Sequence, residues 1–303
     1  MAKLLICDHV EVDQLALGPG ITVDYKPTIT PAELLAVAGD YDAFIIRSRT
    51  KIDRAVLDKA TRLKLVARPG TGLDNVDTEY AKAKGVTVVN SPESLVEGVA
   101  EHVVLLMLAL SRKLPAADQS TKAGKWEKNA LMGRELKGKV LGIVGLGRIG
   151  KRIAEIARTL GMSVLFYDVI AIPPDVVASL GAKVVSLDEV FASADFITLH
   201  VPMTPQTAHM VNAARLSQMK KSAFLVNTSR GGVIDEAALS DALREGRIAG
   251  AALDVFEKEP PSGPILQAPN TILTPHIGGQ TEEAQTNAIV VIGEKVRAFF
   301  ASR

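Results

Sequence analysis

Short runs of aliphatic residues alternate along the chain with longer segments in which apolar and polar residues recur at helical spacing. The aliphatic runs predict buried strands, and the segments between them predict amphipathic helices. Several of these helical segments open with Pro, Ser or Thr, as in Thr30-Pro31-Ala32-Glu33 and Ser91-Pro92-Glu93, which is typical of helix N-termini. Strands alternating with helices indicate parallel sheets covered on both faces, so the predicted fold class is α/β.

The predicted strands form two series, separated by a polar stretch at residues 119–138 that contains the only tryptophan, Trp126. The first series is Lys3–Cys7, Ala43–Ile46, Leu65–Ala67 and Val86–Asn90. The second is Val140–Val144, Ser163–Tyr167, Lys183–Val185, Phe196–His200, Ala223–Asn227, Gly250–Leu253 and Thr271–Leu273. The second series suffices for a complete doubly wound domain, so we predict two doubly wound parallel-sheet domains.

The last predicted helix, Glu282–Phe300, either caps the second domain or returns to the first. We favour the return, because the N-terminal block is small and would gain core from it. The second domain is then an insertion in a discontinuous first domain. The expected boundaries are residues 1–95 with 284–303 for one domain and 96–283 for the other.

Composition narrows the possible functions. The 303 residues suit two domains, and a net charge of +1 gives no overall field to attract nucleic acid or an anionic membrane. Cys7 is the only cysteine, which excludes an intrachain disulfide and suits a reducing compartment. The N-terminus lacks signal-peptide features, and the apolar run Val99–Leu110 is too short to cross a bilayer. We therefore expect a soluble cytoplasmic protein.

A glycine-rich turn follows the first strand of the second series. Gly145-Leu-Gly147-Arg-Ile-Gly150 lies between the strand ending at Val144 and the helical run 151–160. In that context the three glycines permit a tight turn, close approach of a pyrophosphate and close helix packing, while the helix N-terminus supplies amide donors. The motif predicts a Rossmann domain that binds a dinucleotide.

Asp168 ends the next strand, eighteen residues after Gly150. A carboxylate at this position accepts hydrogen bonds from the adenosine ribose and repels a 2′-phosphate. No lysine or arginine occurs in the five residues that follow it. The predicted cofactor is therefore NAD rather than NADP.

Two strand ends carry residues suited to hydride chemistry on a 2-oxo or 2-hydroxy acid. Such chemistry needs a cation for the carboxylate and carbonyl, and a general acid that titrates near neutrality. Arg230 lies at the turn after one strand, where its planar fork suits both oxygens, and His276 lies at the turn after another. His200 ends a further strand and is expected to line the cofactor crevice.

Carboxylates follow the strand Gly250–Leu253. Asp254 ends that strand and is expected to face the nicotinamide, whereas Glu257 and Glu259 lie in the loop beyond it. A carboxylate beside an imidazole favours the charged imidazolium, so one of the two glutamates could assist His276. Spacing alone does not decide between them.

Together these segments resemble the D-2-hydroxyacid dehydrogenase family over nearly the whole chain. The matching stretches are Val226–Asp235, Ala252–Pro261 and Pro275–Gly278. The resemblance implies that Arg230 binds the substrate, that His276 exchanges the proton and that Glu259, directly before the proline, orients it. It also implies a homodimer and a flavodoxin-like substrate-binding domain carrying the inserted Rossmann domain. The expected cofactor contacts are Thr71, Gly145, Gly147, Arg148, Ile149, Gly150, Asp168, Val201, Pro202, Thr228, Ser229, Asp254, Gly278 and Gly279.

Within the family the chain is most similar to the members that oxidise D-3-phosphoglycerate. The resemblance implies that amides around Gly70–Gly72 cradle a carboxylate and that Arg47 and Arg68 bind a phosphate. The expected substrate contacts are Arg47, Ser48, Arg68, Gly70 and Gly72.

The sequence departs from these members in two ways. It ends at Arg303, so we do not expect a C-terminal regulatory domain or serine feedback through one, and it has Leu95 where many relatives place asparagine. The second departure bears on substrate specificity.

Two other functions remain open: a glyoxylate or hydroxypyruvate reductase, and an NAD-sensing co-repressor. We expect no metal site, since no cluster of His, Cys and Asp has ligand spacing.

Overall fold

The computed structural model describes residues 1–301, which form two compact units. The first unit is Met1–Val96 together with the chain from Gly279 onwards, and the second is Glu97–Gly278. These divisions lie one and five residues from the boundaries expected from the sequence. Each unit contains a parallel sheet with helices, and the prediction of two parallel-sheet α/β domains is confirmed.

The first unit has a five-stranded sheet in the order β2-β1-β3-β4-β5, the strand order of flavodoxin-like folds. The strands are β1 (Ala2–Ile6), β2 (Ile21–Tyr25), β3 (Ala43–Ile45), β4 (Leu65–Arg68) and β5 (Thr87–Asn90). The helices are α1 (Val12–Leu15), α2 (Pro31–Val37), α3 (Arg54–Lys59), α4 (Thr78–Ala83) and the last helix of the chain, α12 (Glu282–Ala301). Strand β2 was not predicted from the sequence.

Local sequence explains where these helices begin and what they cover. Thr30 caps α2, because its hydroxyl accepts the Glu33 amide while the Glu33 carboxylate accepts the Thr30 amide. On α12, Ile289, Ile292 and Val296 are buried with the side chains of β1, β3 and β4. Helix α12 therefore completes the hydrophobic core of the first unit.

The second unit has a seven-stranded sheet in the order β12-β11-β10-β9-β6-β7-β8, which contains the doubly wound dinucleotide-binding order. The strands are β6 (Val140–Val144), β7 (Ser163–Tyr167), β8 (Ala182–Val184), β9 (Phe196–Leu199), β10 (Phe224–Asn227), β11 (Gly250–Leu253) and β12 (Thr271–Leu273). The helices are α5 (Val96–Ser111), α6 (Leu114–Lys122), α7 (Arg148–Thr159), α8 (Pro174–Leu180), α9 (Leu187–Ser193), α10 (Ala213–Gln218) and α11 (Glu236–Arg244). All seven strands predicted from the sequence are present.

Helix α5 is longer than the apolar run seen in the sequence. With the 3-10 turn before it, it covers Pro92–Ser111, and these 20 residues meet the length and hydropathy of a membrane span. Half of this segment is buried within the protein. Its apolar side chains Val103, Leu106 and Leu110 lie in the same core as β6 and α7. It is therefore a core helix of the second unit.

Candidate active site

The predicted cofactor and catalytic residues of the second unit follow the carboxyl ends of its strands. Gly145 follows β6, Asp168 follows β7, Arg230 lies after β10, Asp254 follows β11 and His276 lies after β12. All the strand pairs in this sheet are parallel, so these ends share one edge. This is the edge at which doubly wound sheets bind ligands.

The glycine-rich turn has the packing that a dinucleotide needs. Gly145 has φ +95°, and a Cβ there would lie 2.4 Å from the carbonyl oxygen of His200. A Cβ on Gly150 would lie 2.3 Å from the carbonyl oxygen of Gly145, so α7 packs directly on the turn. Gly147 caps α7, is exposed and has open space at its Cβ position. The turn and the helix N-terminus therefore fit a pyrophosphate, with Arg148 and Ile149 in the first turn of α7.

Asp168 lies against this glycine-rich turn. One carboxylate oxygen accepts the Leu146 amide at 2.7 Å, and the other accepts the Ile170 amide at 2.9 Å. The next two side chains, Val169 and Ile170, are 85% and 71% exposed. The Asp168 carboxylate and the exposed side chains of Val169 and Ile170 thus lie next to the glycine-rich turn, which leaves room for a dinucleotide.

His276 is hydrogen-bonded to Glu259. Its Nδ1 atom lies 3.1 and 3.0 Å from the two carboxylate oxygens. Both side chains are about half exposed, at 54% and 42%. A histidine bonded to a carboxylate through one ring nitrogen presents the other nitrogen for proton exchange.

Glu257, the rival carboxylate, has different partners. Its side chain lies 3.1 Å from Nε2 of His209 and accepts the backbone amide of Glu236 at 3.0 Å. Its own amide donates to the Glu236 carboxylate at 2.6 Å. Burial, together with the charge of Glu257, raises the pKa of Glu236. Glu257 therefore anchors the start of α11, whereas Glu259 bonds to His276.

Arg230 is positioned by a buried asparagine that the sequence analysis overlooked. Asn227, at the end of β10, donates to the Arg230 carbonyl at 2.9 Å and accepts the amide and hydroxyl of Ser229 at 3.0 and 2.8 Å. The Arg230 guanidinium donates to the Ser229 carbonyl at 2.7 Å. Next to it, a Cβ on Gly231 would lie 1.8 Å from the carbonyl carbon of Phe256. The Arg230 turn is thus packed directly on the loop that leads to Glu259.

Asp254 is 1% exposed and holds the turn that carries His276. Its oxygens accept the Thr274 hydroxyl at 2.6 Å and the amides of Ile277 and Gly278 at 2.8 Å each. Burial raises the pKa of Asp254, but hydrogen bonds from His102, Thr274 and the two amides outweigh it and lower that pKa overall. The expectation that Asp254 faces the nicotinamide stays a prediction. In this structure both of its carboxylate oxygens accept hydrogen bonds from the turn that carries His276.

Two further residues at this edge have environments that suit a ligand. The Thr228 hydroxyl is buried and has no hydrogen-bond partner among residues 1–301. His200 bonds through Nε2 to the Thr198 hydroxyl at 2.8 Å, and burial lowers the pKa of His200 to about 3. His200 is therefore neutral near pH 7 and unsuited to act as an acid there. Val201 and Pro202 follow it in the chain and are part-buried and exposed.

In the first unit, the loop of Gly70 and Gly72 is tied to its own surroundings. The Gly70 amide donates to the Ser91 hydroxyl at 2.9 Å, and Arg68 donates to the carbonyl of Gly72. Asn90 donates to the Thr71 carbonyl at 2.6 Å, while the Thr71 hydroxyl is buried without a partner in the described part of the chain. The Gly70 amide is thus already bonded, and the Thr71 hydroxyl is a polar atom left for a ligand.

Arg47 is half-buried in the first unit, and Ser48 beside it is exposed. The Arg47 guanidinium donates to the side chain of Gln285, whose amide nitrogen donates to the Gly279 carbonyl at 2.7 Å. Burial lowers the pKa of Arg47, and the charge of Asp8 opposes that shift. No local sequence pattern indicates Gln285 at this place.

Within residues 1–301, no group of three or more His, Cys, Asp and Glu side chains is arranged to hold a metal ion.

The second unit thus combines a doubly wound sheet and a glycine-rich turn with an arginine, a glutamate and a histidine that follow its strands at the carboxyl edge. Residues 104–278 match the family model described as D-isomer specific 2-hydroxyacid dehydrogenase, NAD binding domain. The chain belongs to this family, and its second unit is the family's NAD-binding domain.

Curated relatives include two proteins named D-3-phosphoglycerate dehydrogenase. The one from Methanocaldococcus jannaschii is 44% identical over 98% of this chain and 57% of its own length. The one from Synechocystis is 43% identical over 98% of this chain and 54% of its own length. The chain thus spans little more than half the length of these relatives.

Solved structures match the chain over almost its full length. The TT0316 protein of Thermus thermophilus has a TM-score of 0.90 at 34% identity and covers 99% of this chain and 97% of its own. The D-lactate dehydrogenase of Aquifex aeolicus, complexed with NAD and lactic acid, has a TM-score of 0.86 at 31% identity, covering 99% and 96%. A glyoxylate reductase from Paecilomyes thermophila has a TM-score of 0.91 at 29% identity, covering 98% and 94%.

Proposed function

We propose that this protein oxidises D-3-phosphoglycerate to 3-phosphohydroxypyruvate with NAD, the first step of serine synthesis. The observation that carries the proposal is the His276–Glu259 hydrogen bond at the sheet edge that also holds Arg230 and the glycine-rich turn. The names of the curated relatives support the choice of substrate.

In the proposed reaction the arginine and the histidine have separate tasks. Arg230 binds the substrate carboxylate and the oxygen on C2, on which negative charge grows as the hydroxyl proton leaves. His276 takes the proton of the C2 hydroxyl through Nε2, while Glu259 holds Nδ1 and favours the imidazolium that results. NAD held by the groups of the second unit would supply the hydride acceptor for C2. In the reverse direction His276 returns the proton to the same oxygen.

The fit to NAD rests on the second unit's own groups. The open backbone at Gly147 and the N-terminus of α7 suit the pyrophosphate, and the unpaired Thr228 hydroxyl offers a further polar contact. Asp168 beside the glycine-rich turn suits a ribose with free hydroxyls and opposes a 2′-phosphate. We therefore propose NAD rather than NADP.

In the first unit, Arg47 and Arg68 are the proposed phosphate ligands. Both are part-buried, so water weakens their electrostatic attraction to a bound phosphate less than it would at an exposed site. An unphosphorylated 2-oxo acid such as glyoxylate or hydroxypyruvate is the alternative substrate, supported by the similarity to a glyoxylate reductase structure.

The deciding experiment compares substrates on the 303-residue protein. NADH formation is measured with D-3-phosphoglycerate at alkaline pH, beside NADH consumption with hydroxypyruvate and with glyoxylate. Turnover of the phosphorylated substrate at low concentration supports the proposal. Turnover of the unphosphorylated acids alone retains the mechanism but makes the protein a reductase of the same family.

Two arginine variants test the phosphate site. Arg47→Ala and Arg68→Ala should raise KM for D-3-phosphoglycerate about tenfold or more, because each removes a charge-assisted contact, and should change KM for glyoxylate much less. Arg62→Ala is the matched control, since Arg62 is exposed and pairs with Asp42 at 3.0 Å. Equal effects on both substrates would count against a phosphate site.

We also propose a homodimer located in the cytoplasm. Several apolar side chains in one stretch of the chain are exposed: Leu105, Leu108, Leu114, Trp126 and Met132. Leu105 and Leu108 are three residues apart on α5 and share a face of that helix. A buried free thiol at Cys7 suits a reducing compartment.

Light scattering after size-exclusion chromatography tests the dimer. Leu108→Glu should convert a dimer of the wild type into monomers, because a charge in an apolar interface has a large desolvation cost. Val184→Glu, at an exposed apolar position on β8, is the control that should leave the mass unchanged. A monomeric wild type would overturn the proposal.

A further inference from the structure

His102, on α5, is a nearly buried histidine that has no part in the proposed proton transfer. Its side chain is 11% exposed, and its Nε2 atom lies 3.3 Å from the Thr274 hydroxyl and 3.5 Å from a carboxylate oxygen of Asp254. The Thr274 hydroxyl donates its only proton to that same oxygen at 2.6 Å. Both neighbours therefore act as acceptors towards the imidazole, so Nε2 must carry a hydrogen.

The group formed by His102, Asp254 and Thr274 supports the turn that carries His276. Asp254 accepts the Thr274 hydroxyl on one side of His276 and the amides of Ile277 and Gly278 on the other. The backbone of His276 has φ +56°, a left-handed conformation that is unfavourable for a residue with a Cβ. Such a conformation persists where its neighbours are fixed.

Packing places the His102 ring directly beneath the same turn. A Cβ added to Gly278 would lie 3.0 Å from a carboxylate oxygen of Asp254 and 3.7 Å from Cδ2 of His102. The Asp254 carboxylate and the His102 imidazole thus both pack against the backbone of this turn. A change in His102 reaches the His276 turn both through its hydrogen bonds and through this contact.

We propose that His102 is a positioning residue for His276, acting through Asp254 and Thr274. The inference rests on the proposed function, in which His276 exchanges the substrate proton. Without the His102 donor, Asp254 and Thr274 lose one partner and the turn can relax from the left-handed conformation. His276 then points less accurately at the reacting oxygen, which slows the proton transfer more than it weakens NAD binding.

Two substitutions of His102 separate its hydrogen bond from its bulk. His102→Leu removes the donor and should lower kcat about 10- to 100-fold, while the Kd for NADH, measured by fluorescence, changes less than about twofold. His102→Gln places an amide donor near the position of Nε2 and should restore kcat to within about threefold of the wild type. The substrate is whichever of D-3-phosphoglycerate and hydroxypyruvate is turned over.

A double-mutant cycle with His276→Ala distinguishes positioning from general damage. If His102 acts through His276, adding His102→Leu to the His276→Ala protein should change kcat less than about twofold. An undiminished effect in that background, or a wild-type kcat in the His102→Leu protein, overturns the inference. If His102→Leu does not fold, Thr274→Val enters the same cycle, because it removes the shared hydroxyl at nearly constant volume.

The cycle also separates this inference from the proposed function. Wild-type turnover in the His276→Ala protein alone would overturn the assigned role of His276 itself. A strong loss in His276→Ala with none in His102→Leu would leave the proposed function standing and reject only the positioning role.

Discussion

Nδ1 of His276 lies 3.1 and 3.0 Å from the two carboxylate oxygens of Glu259, while Glu257, two residues earlier, lies 3.1 Å from His209. The two glutamates occupy the same loop and have equal charge, so they form a matched pair for mutagenesis. Of the two, Glu259 is the one that contacts His276 and can fix its tautomer.

Glu259→Gln should lower kcat roughly 10- to 100-fold, because a neutral amide stabilises the imidazolium less and leaves the ring orientation less defined. Steady-state kinetics in both directions provide the measurement. Glu257→Gln is the control and should retain most of the wild-type kcat. A larger loss in Glu257→Gln than in Glu259→Gln would contradict the assignment.

Arg230→Ala should reduce kcat/KM for the 2-hydroxy acid by roughly 10²–10³-fold, since a charge-assisted donor to the reacting oxygen is lost. Arg230→Lys keeps the charge but not the planar fork, so it should recover only part of that loss. NADH binding should remain close to the wild type in both variants. A defect confined to NADH binding would show that Arg230 serves the cofactor instead.

Asp168 has two structural tasks that substitution can separate. Asp168→Asn removes the charge but keeps an oxygen for the Leu146 or Ile170 amide, so it should raise kcat/KM for NADP relative to NAD about tenfold or more. Asp168→Ala removes the acceptors too and should weaken both cofactors. An unaltered NAD-to-NADP ratio in Asp168→Asn would show that the ribose is recognised elsewhere.

The central strands of the second sheet, β6 and β9–β11, could be predicted from the sequence because they are buried on both faces. In β9 and β10, for example, every residue is buried and three of four are apolar, and such short apolar runs are conspicuous in a sequence. Strand β2 lies at the edge of the first sheet and contains Thr22, Asp24 and an exposed Tyr25. An edge strand needs apolar residues only where it meets the core, so its pattern resembles that of a loop.

The candidate catalytic and cofactor-binding residues could be predicted from their positions at strand ends and in glycine-rich turns. The side chains that hold them in place could not. Asn227 occupies the last position of a predicted strand, and its role depends on a side chain that folds back onto its own turn. His102 and Gln285 contact residues 172 and 238 positions away in the chain. No local pattern reports contacts of that separation.

Gly231 and Gly232 are adjacent, yet replacing each by alanine should affect the stability of the protein very differently. A Cβ on Gly231 would meet the backbone of Phe256 at 1.8 Å, which only movement of the Arg230 turn or the Glu259 loop could relieve. Gly231→Ala should therefore destabilise the protein by about 3 kcal/mol or more and abolish turnover. A Cβ on Gly232 would meet only the flexible end of Met203, at 2.9 Å.

Thermal unfolding and turnover of the two alanine variants provide the measurement. Gly232→Ala should fold with a melting temperature within a few degrees of the wild type, because Met203 can change rotamer. Equal stability of both variants would mean that the close approach of Gly231 to Phe256 is not maintained in solution.

His200 predicts how stability depends on pH. Burial lowers its pKa from 6.5 to about 3 in the folded protein, so between these values the unfolded chain binds a proton that the folded protein does not. The free energy of unfolding therefore rises with pH across this window and falls as the pH drops below about 6.5. His200 should account for about 2 kcal/mol of stability lost between pH 7 and pH 5.

His200→Gln lacks the titrating group, so its urea-unfolding free energy should fall less over that interval. The difference between the two slopes isolates His200 from the carboxylates, which both proteins share. Equal slopes would show that the His200 ring accepts a proton in the folded protein and that the crevice beside Val201 is open to water.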